Sequence, residues 1–332
     1  MKPLRIGVLG CAEIARRRVL PAMAASPSTE VYAVASRDRE RAAEVARAFD
    51  CRPVHGYAAL VGLDEVEAVY VPLPAALHAA WVETALRAGK HVLAEKPLTT
   101  DPERTRALLS LARDLGLVLR ENVMFVHHGQ HAAVRDLVAD GAIGRVRSFH
   151  AAFTVPGRPD DDIRYRGDLG GGALFDTGVY PVRAALHLLG GGLEVAGAVL
   201  GAGPGRHVDT SGGALLRGPD GVGVHVTFGL ENAYQSAYEL RGTTGRIFLD
   251  RAFTPPADHT PVIRLEQGTG SVREVRLPAE DQVRNTVASF AAAVRAGMPT
   301  HAGADPEEAA CLRQAVLLDR IRGSAGPVQQ SF

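Results

Sequence analysis

The sequence predicts an α/β fold with two domains: a doubly wound parallel sheet, followed by an α+β domain with a large, mostly antiparallel sheet. Two observations predict it. In roughly the first 120 residues, short apolar runs alternate with helical segments, which is typical of parallel strands joined by crossover helices. After that point, strands follow one another through turn signals such as GPDG at 218–221 and GTTG at 242–245. We therefore expect a first domain at residues 1–121 and a second at residues 122–332.

The elements of each domain are predicted from apolar patterns and turn signals. In the first domain we expect strands at residues 4–10, 31–36, 66–73, 91–95 and 117–120. We expect its helices at residues 14–25, 38–49 and 75–88, and one that begins near Asp101, where a capping residue precedes Pro102. In the second domain we expect helices at 131–139, after Gly178, at 281–295 and at 306–322, a strand at 146–154 and further strands from Val195 onward.

Composition and charge exclude several classes of partner. The 37 Lys and Arg residues balance the 37 Asp and Glu residues, so the chain has no basic excess for nucleic acid or an anionic membrane surface. The longest stretch without a charged side chain, residues 68–82, is shorter than the ~20 residues of a membrane span. The three cysteines are scattered, and a strand pattern starts almost at once, leaving no room for a signal peptide. We expect a cytoplasmic protein.

A dinucleotide-binding turn is predicted where the first strand ends. The residues at 10, 12 and 15 are glycine, alanine and alanine, small enough for the three glycine positions of the dinucleotide fingerprint. We expect a Rossmann domain whose turn holds a pyrophosphate through Gly10, Cys11, Ala12, Glu13 and Ile14. At the end of the second strand, Ser36, Arg37 and Arg41 suit a 2′-phosphate, so we expect NADP(H). The alternative is a solvated, arginine-rich helix start.

Candidate catalytic residues follow another parallel strand and a glycine-rich segment. Glu95, Lys96 and Pro97 come at the carboxyl end of the strand at 91–95, where open α/β sheets bind their ligands. Asp176 and Tyr180 are four residues apart, so on one helical turn they would share a face and could both point toward Lys96. Reduction of a ketone by hydride needs a proton for the developing alkoxide, and Lys96 or Tyr180 could supply it. Only three of the basic residues are lysine, which supports a special role for Lys96.

These motifs resemble the Gfo/Idh/MocA family of oxidoreductases over essentially the whole chain. The matching segments are GCAEIA at 10–15, AEKP at 94–97 and DTGVY at 176–180. Within the family the chain is most similar to NADPH-dependent ketoreductases of deoxysugar and antibiotic biosynthesis, which act at C-3 of a dTDP-linked keto-sugar. The resemblance implies a nicotinamide near Lys96 and Tyr180, with Lys96 bonding the substrate, Tyr180 the favoured acid and Asp176 positioning the sugar. It also implies a homo-oligomer, either a dimer or a tetramer.

Further residues are expected around the two ligands. At the cofactor, besides the residues of the turn and of the second strand, we expect Pro72, Leu73, Pro74, His78, Glu95, Lys96, Pro97 and Asn122. At the substrate we expect Lys96, Asn122, Phe125, Arg164, Asp176 and Tyr180. The alternatives are a capping or surface role for His78, a surface ion pair for Arg164 and a core position for Phe125. The histidines at 127, 128 and 131 lack a carboxylate or cysteine at metal-ligand spacing, so we expect no metal site.

Two other functions stay open from the sequence. The chain could be a dehydrogenase of a free sugar, cyclitol or dihydrodiol in the same family. It could instead be a dinucleotide-binding sensor without turnover. The presence of Lys96, Asp176 and Tyr180 together counts against a sensor, because a sensor needs no proton donor.

Overall fold

The computed structural model of the protein describes residues 2–268, 270–297 and 305–330. Its first elements are β1 (Leu4–Leu9), α1 (Leu20–Ala25), β2 (Thr29–Ser36), α2 (Arg39–Ala48), β3 (Arg52–His55), α3 (Tyr57–Val61), β4 (Ala68–Val71), α4 (Ala75–Arg87), β5 (His91–Ala94), α5 (Pro102–Asp114) and β6 (Leu119–Glu121). They are followed by α6 (Gly129–Ala139), β7 (Val146–Thr154), α7 (Ala173–Asp176), α8 (Val179–Leu189), β8 (Glu194–Ala202), β9 (Ser211–Arg217), β10 (Gly223–Gly229), β11 (Gln235–Gly242), β12 (Gly245–Asp250), β13 (Val262–Gln267), β14 (Ser271–Arg276), α9 (Gln282–Ala296), α10 (Pro306–Ala325) and β15 (Gln329–Gln330). Within these three ranges, no helix is both long and apolar enough to cross a membrane.

The first unit contains six parallel strands in the order β3-β2-β1-β4-β5-β6, which confirms the Rossmann sheet. The order reverses between β1 and β4, so the loops after these two strands border the crevice in which such sheets bind ligands. Strand β3 and helix α3 are absent from the prediction. The physical reason is that β3 is a mostly exposed edge strand containing Pro53, so it has no apolar run to reveal it.

The chain divides into two compact units, and the division differs from the expected one at residue 121. The first unit runs to Met124 and resumes from Val283 to Leu312, whereas the second contains Phe125–Gln282 and the residues from Arg313 onward. Helix α9, expected in the second domain, therefore packs in the first unit. Its buried residues Val283, Val287 and Phe290 form one core cluster with residues of β1, β4 and β5. Helices α4 and α5 cover the opposite face of that sheet, so α9 completes the second layer.

The second unit contains nine strands in the order β14-β13-β12-β11-β7-β10-β9-β8-β15. Only the pairs β7–β10 and β8–β15 are parallel among the described strands of this sheet, which confirms the mostly antiparallel prediction. Alternate residues of β7, such as Phe149 and Phe153, are buried, and α8 packs against this strand. The residues that alternate with them point to the open face: His150 is exposed and Ala152 is half-buried.

Three histidines lie close together inside the second unit. His131 is buried, with Nδ1 2.9 Å from the Tyr238 hydroxyl and Nε2 3.0 Å from the carbonyl oxygen of Ala252. The rings of His128 and His187 lie 6.5 and 6.2 Å from the His131 ring. Burial lowers the pKa of all three, and that of His187 falls to about 4. No group of His, Cys, Asp and Glu side chains among the described residues is arranged to hold a metal ion.

Replacing His187 with leucine is expected to weaken the acid sensitivity of folding. In the unfolded chain histidine titrates near its ordinary pKa of about 6.5, whereas in the folded chain it titrates near 4. His187 therefore costs no stability above about pH 6.5, where it is neutral in both states. Below that pH the unfolded chain takes up the proton first, so the free energy of unfolding falls as the pH drops toward 4. Between about pH 7.5 and about pH 5, the wild-type free energy of unfolding should fall by up to about 2 kcal/mol more than that of His187→Leu in urea denaturation.

The control is His207→Leu, at an exposed histidine of the same unit, which should keep the wild-type pH dependence. If His187→Leu and the wild-type protein lose equal stability over the interval, His187 does not resist protonation in the folded state.

Candidate active site

The turn after β1 has the geometry that a dinucleotide requires. Gly10 has a φ of +110°, which a residue with a side chain rarely adopts, and a Cβ there would lie 3.0 Å from Leu73 Cδ2. The other predicted turn residues are the buried Cys11, the half-buried Ala12 and the exposed Glu13 and Ile14. A π-helical segment, Ala15–Val19, follows this turn and continues into α1. A glycine that lets the backbone approach a ligand, in the turn before a helical segment, fits a pyrophosphate.

Two arginines lie at this turn and at the end of β2. Arg41 Nη2 donates a hydrogen bond to the carbonyl of Cys11 at 3.3 Å, so its guanidinium reaches from α2 to the turn. Arg37 is exposed, and its carbonyl accepts a hydrogen bond from His55 Nε2 at 3.0 Å. Ser36 is buried, and its hydroxyl accepts from the Asp38 backbone N–H at 3.1 Å. Guanidiniums at these two positions suit a 2′-phosphate, and the Ser36 hydroxyl, which accepts the Asp38 N–H, keeps its own proton to donate.

The segment after β4 borders the same turn. A Cβ at Gly10 would meet Leu73, and the carbonyl oxygen of Pro72 would lie 3.9 Å from it. Pro74 precedes the first residue of α4. His78 differs from both sequence interpretations, since it is buried and both ring nitrogens face backbone carbonyls.

A buried carboxylate organises the end of β5. Glu95 is 8% exposed, and its Oε1 accepts hydrogen bonds from the Tyr70 hydroxyl and from Asn122 Nδ2, both at 2.7 Å. Burial and the charge of Glu95 raise the pKa of Tyr70 well above its usual value, so Tyr70 stays a donor. Asn122 is therefore a buried partner of Glu95, and its expected contact with the cofactor or substrate stays a prediction. Tyr70, within an apolar strand, carries no sequence signal for this role.

Lys96 is held in a segment fixed on both sides. The backbone N–H of Glu95 donates to the carbonyl of Val71 at 3.1 Å, and that of Lys96 lies 3.4 Å from Glu95 Oε2. On the other side, the Leu98 N–H donates to the Glu121 carboxylate at 2.9 Å. Lys96 is half-buried at the carboxyl end of β5, the position the sequence predicts.

Asp176 and Tyr180, in the second unit, lie in consecutive helical segments. Asp176 ends α7 and Tyr180 is in the first turn of α8. Thr177 and Gly178 keep right-handed helical angles, and Tyr180 N donates to the carbonyl of Thr177 at 3.2 Å. The single helix considered from the sequence is therefore interrupted, although the backbone between the two residues stays helical.

Arg164 binds Asp176 within the protein. Its Nε lies 2.9 Å from Asp176 Oδ2, and its Nη1 lies 3.0 and 3.1 Å from the two oxygens of Asp162. The charges of Asp176 and Asp162 raise the pKa of Arg164 above its ordinary value. The ion-pair interpretation of Arg164 therefore describes this structure better than a direct substrate contact. Asp162 is one of three consecutive acidic residues without a motif, so the sequence does not single it out.

The Tyr180 ring packs among three phenylalanines of the second unit. The ring centroids of Phe153, Phe253 and Phe125 lie 4.6, 5.8 and 6.0 Å from its own. Phe125 is completely buried, so its expected substrate contact is corrected to a core position behind Tyr180.

The glycines before α7 allow a close approach of backbone segments. A Cβ at Gly171 would lie 2.4 Å from the carbonyl oxygen of Arg164, and one at Gly172 would lie 2.4 Å from Asp209 Oδ1. Asp209 holds the start of α7, because its Oδ2 accepts from the Leu174 N–H at 2.6 Å. Burial raises the pKa of this carboxyl. Asp209 also lacks a sequence motif, since its partner is 35 residues away.

Comparisons with known proteins extend over both units. Residues 4–123 match the model of the oxidoreductase family with an NAD-binding Rossmann fold, and residues 131–248 match the GFO/IDH/MocA C-terminal domain. A dTDP-3,4-didehydro-2,6-dideoxy-α-D-glucose 3-reductase from Streptomyces violaceoruber is 55% identical, over 98% of this chain and 96% of its own. A reductase of the same name from Actinomadura kijaniata is 52% identical, over 97% of this chain and 96% of its own.

A solved structure is similar over nearly the same length. It is a 3-ketoreductase from Actinomadura kijaniata in complex with NADP and TDP-benzene, 49% identical, with a TM-score of 0.94 and coverage of 99% of this chain and 98% of that one. Both family models and these relatives lead to the same assignment. The chain belongs to the GFO/IDH/MocA family of oxidoreductases.

Proposed function

We propose that the protein is an NADPH-dependent ketoreductase that converts the C-3 keto group of a dTDP-linked deoxy-keto-sugar to a hydroxyl. One observation carries the proposal: the chain is 55% identical, over 98% of its length, to a dTDP-3,4-didehydro-2,6-dideoxy-α-D-glucose 3-reductase. The similar 3-ketoreductase of known structure binds NADP and TDP-benzene. The turn at Gly10 and the guanidiniums of Arg37 and Arg41 support NADP(H) as the cofactor here.

The proposed roles of the residues follow from their chemistry. The cofactor, when bound, supplies the hydride for the carbonyl carbon. Lys96 donates a hydrogen bond to the keto oxygen, and the Tyr180 hydroxyl gives the proton that this oxygen needs. Asp176 accepts a hydrogen bond from a sugar hydroxyl. One hydride and one proton together convert the ketone to an alcohol.

The ion pair of Asp176 supports this division of roles. A guanidinium 2.9 Å from a carboxylate oxygen favours the ionised form, which has no proton to give. A phenol, by contrast, bears its proton at neutral pH. Asp176 is therefore suited to hold the substrate and Tyr180 to donate the proton.

Lys96→Ala is expected to abolish turnover while leaving both ligands bound. The variant loses the donor at the keto oxygen but none of the residues proposed for the pyrophosphate or 2′-phosphate. NADPH oxidation with a dTDP-linked 3-keto-sugar should fall at least about 10³-fold, and calorimetry should give unchanged affinities for NADPH and dTDP. The exposed Lys2→Ala is the matched control and should be fully active.

Two outcomes would contradict the proposal at different points. If the wild-type protein binds no dTDP in the calorimeter, the nucleotide-sugar substrate is wrong. If Lys96→Ala reduces the substrate at the wild-type rate, the substrate class stands and the role of Lys96 is wrong.

Arg37→Glu is expected to weaken NADPH more than NADH. The substitution replaces a cation with an anion where a 2′-phosphate is proposed to bind, and NADH lacks that phosphate. The KM for NADPH should rise by about 10-fold or more while that for NADH changes little. The control, Arg47→Glu, changes an exposed arginine in the last turn of α2 and should alter neither. An unchanged preference in Arg37→Glu would make Arg37 a surface charge only.

We further propose that the open face of the nine-stranded sheet joins copies of the chain in a homo-oligomer. Small residues are paired across the centre of this face in the register Gly213, Thr227, Ala152 and Ala237. Beside them, Val199 is 70% exposed and Leu215 is 45% exposed. Leu215 lies in register with His225 and His150, so polar rings border the apolar residues. An exposed sheet face with small residues at its centre and apolar side chains beside them favours contact with a second copy of itself.

Leu215→Arg is the test of this interface. Light scattering should give the mass of two or four chains for the wild-type protein and a smaller mass for Leu215→Arg, because a buried, unpaired charge opposes association. The control, Leu115→Arg, places the same charge at an exposed leucine of the first unit and should leave the mass unchanged. A monomer mass for the wild-type protein at every concentration contradicts the proposal.

A further inference from the structure

The imidazole of His78 is buried, and each of its ring nitrogens faces a backbone carbonyl. His78 lies in the first turns of α4 and is 1% exposed. Its Nδ1 is 2.8 Å from the carbonyl oxygen of Pro97, and its Nε2 is 2.7 Å from that of Leu73. Both distances are within hydrogen-bond range, and each carbonyl can only accept, so a neutral ring, which has one N–H, donates to one of the two carbonyls at a time. The tautomer with its N–H on Nδ1 donates to Pro97, and in either tautomer the ring lies between the two backbone segments.

The two segments lie beyond the paired parts of β4 and β5. The last residues paired between these strands are Val71 and Ala94, and one further bond runs from the Glu95 N–H to the carbonyl of Val71. Leu73 and Pro97 come after this point. The His78 side chain lies between the loops that follow β4 and β5, beyond the point where the two strands stop pairing.

The carbonyl of Pro97, the residue after Lys96, is a group through which the backbone beside Lys96 can be held in place. Proline has no backbone N–H, so its carbonyl is the only backbone group of that residue that can be held by a hydrogen bond. On the near side of Lys96 the backbone is fixed through Glu95, and beyond Pro97 the Leu98 N–H is fixed by Glu121. The bond from His78 to the carbonyl of Pro97 holds the backbone between these two points, Glu95 and Leu98.

We propose that His78 is a positioning residue that sets the place of Lys96 through the carbonyl of Pro97. This inference rests on the proposed function, in which Lys96 bonds the keto oxygen. A displacement of a reacting group by about 1 Å can cost about 10²-fold in rate, so loss of this bond should act mainly on the chemical step. A cofactor-binding role, by contrast, would act on the KM for NADPH.

The test compares His78→Leu and His78→Gln with a matched control. Leucine removes the N–H donor of the ring, whereas the glutamine amide can restore a donor. The control is His91→Leu: His91 lies at the amino end of the same strand, and its Nδ1 accepts from the Val118 N–H at 2.9 Å. His91 is therefore also a backbone-binding histidine, half-buried, but it lies at the opposite end of β5 from Lys96.

The readouts are kcat, both KM values, the thermal midpoint and the isotope effect with NADPH deuterated at the transferred position. We expect kcat of His78→Leu to fall about 10- to 100-fold, its isotope effect to rise, and its KM for NADPH to change by less than about 3-fold. His78→Gln should regain part of kcat. His91→Leu should lose thermal stability but keep the wild-type kcat and isotope effect.

Failure of this inference is distinguishable from failure of the proposed function. If the wild-type protein does not reduce a dTDP-linked keto-sugar, the proposed function fails first. If it does, and a folded His78 variant keeps the wild-type kcat and isotope effect, the positioning role is overturned. A rise in the KM for NADPH at constant kcat also overturns it, in favour of a cofactor contact. If His78→Leu does not fold, the same criteria apply to His78→Gln.

Discussion

The buried carboxylate of Glu95 is the group on which the arrangement of the first unit depends. A buried anion is tolerated only when hydrogen bonds replace its hydration, and Glu95 receives them from Tyr70, Asn122 and the backbone of Lys96. These donors come from β4, from the residue after β6 and from the end of β5. One side chain thus fixes the carboxyl ends of three adjacent parallel strands. Lys96 follows directly, so the need to satisfy a buried charge also determines where the Lys96 side chain begins.

In the second unit, ion pairs fix the position of the acidic residue. Its acidic residue, Asp176, is paired with Arg164, which a second carboxylate, that of Asp162, holds in turn. The backbone around them is close-packed, since Gly171 leaves no room for a side chain beside Arg164. Tyr180 packs on aromatic rings, so a carboxylate in an ion pair and a phenol in an aromatic cluster lie only four residues apart.

The sequence predicts those parts of the fold and site that depend on local pattern. Gly10 and Lys96 lie where expected, because a strand, a turn and a helix in succession determine such positions from a few neighbouring residues. The partners that Asn122, Phe125 and His78 have within the protein could not be predicted, because they lie elsewhere in the chain: the amide of Asn122 binds a carboxylate 27 residues away. Residue type and spacing indicate that a side chain is polar or buried, but not which group it meets. The cytoplasmic location stays a prediction.

The scarcity of lysine can now be interpreted more narrowly. Lys90 is 8% exposed, and its Nζ donates to the carbonyl of Leu63 at 2.8 Å. A guanidinium with five N–H groups would leave donors unpaired in such a place, whereas a compact ammonium fits. Lys90 thus occupies a confined site that suits a small donor, although no chemistry is expected there, whereas Lys2 is exposed. Lys96 is half-buried, and its position at the carboxyl end of β5 distinguishes it from Lys90, which precedes the amino end.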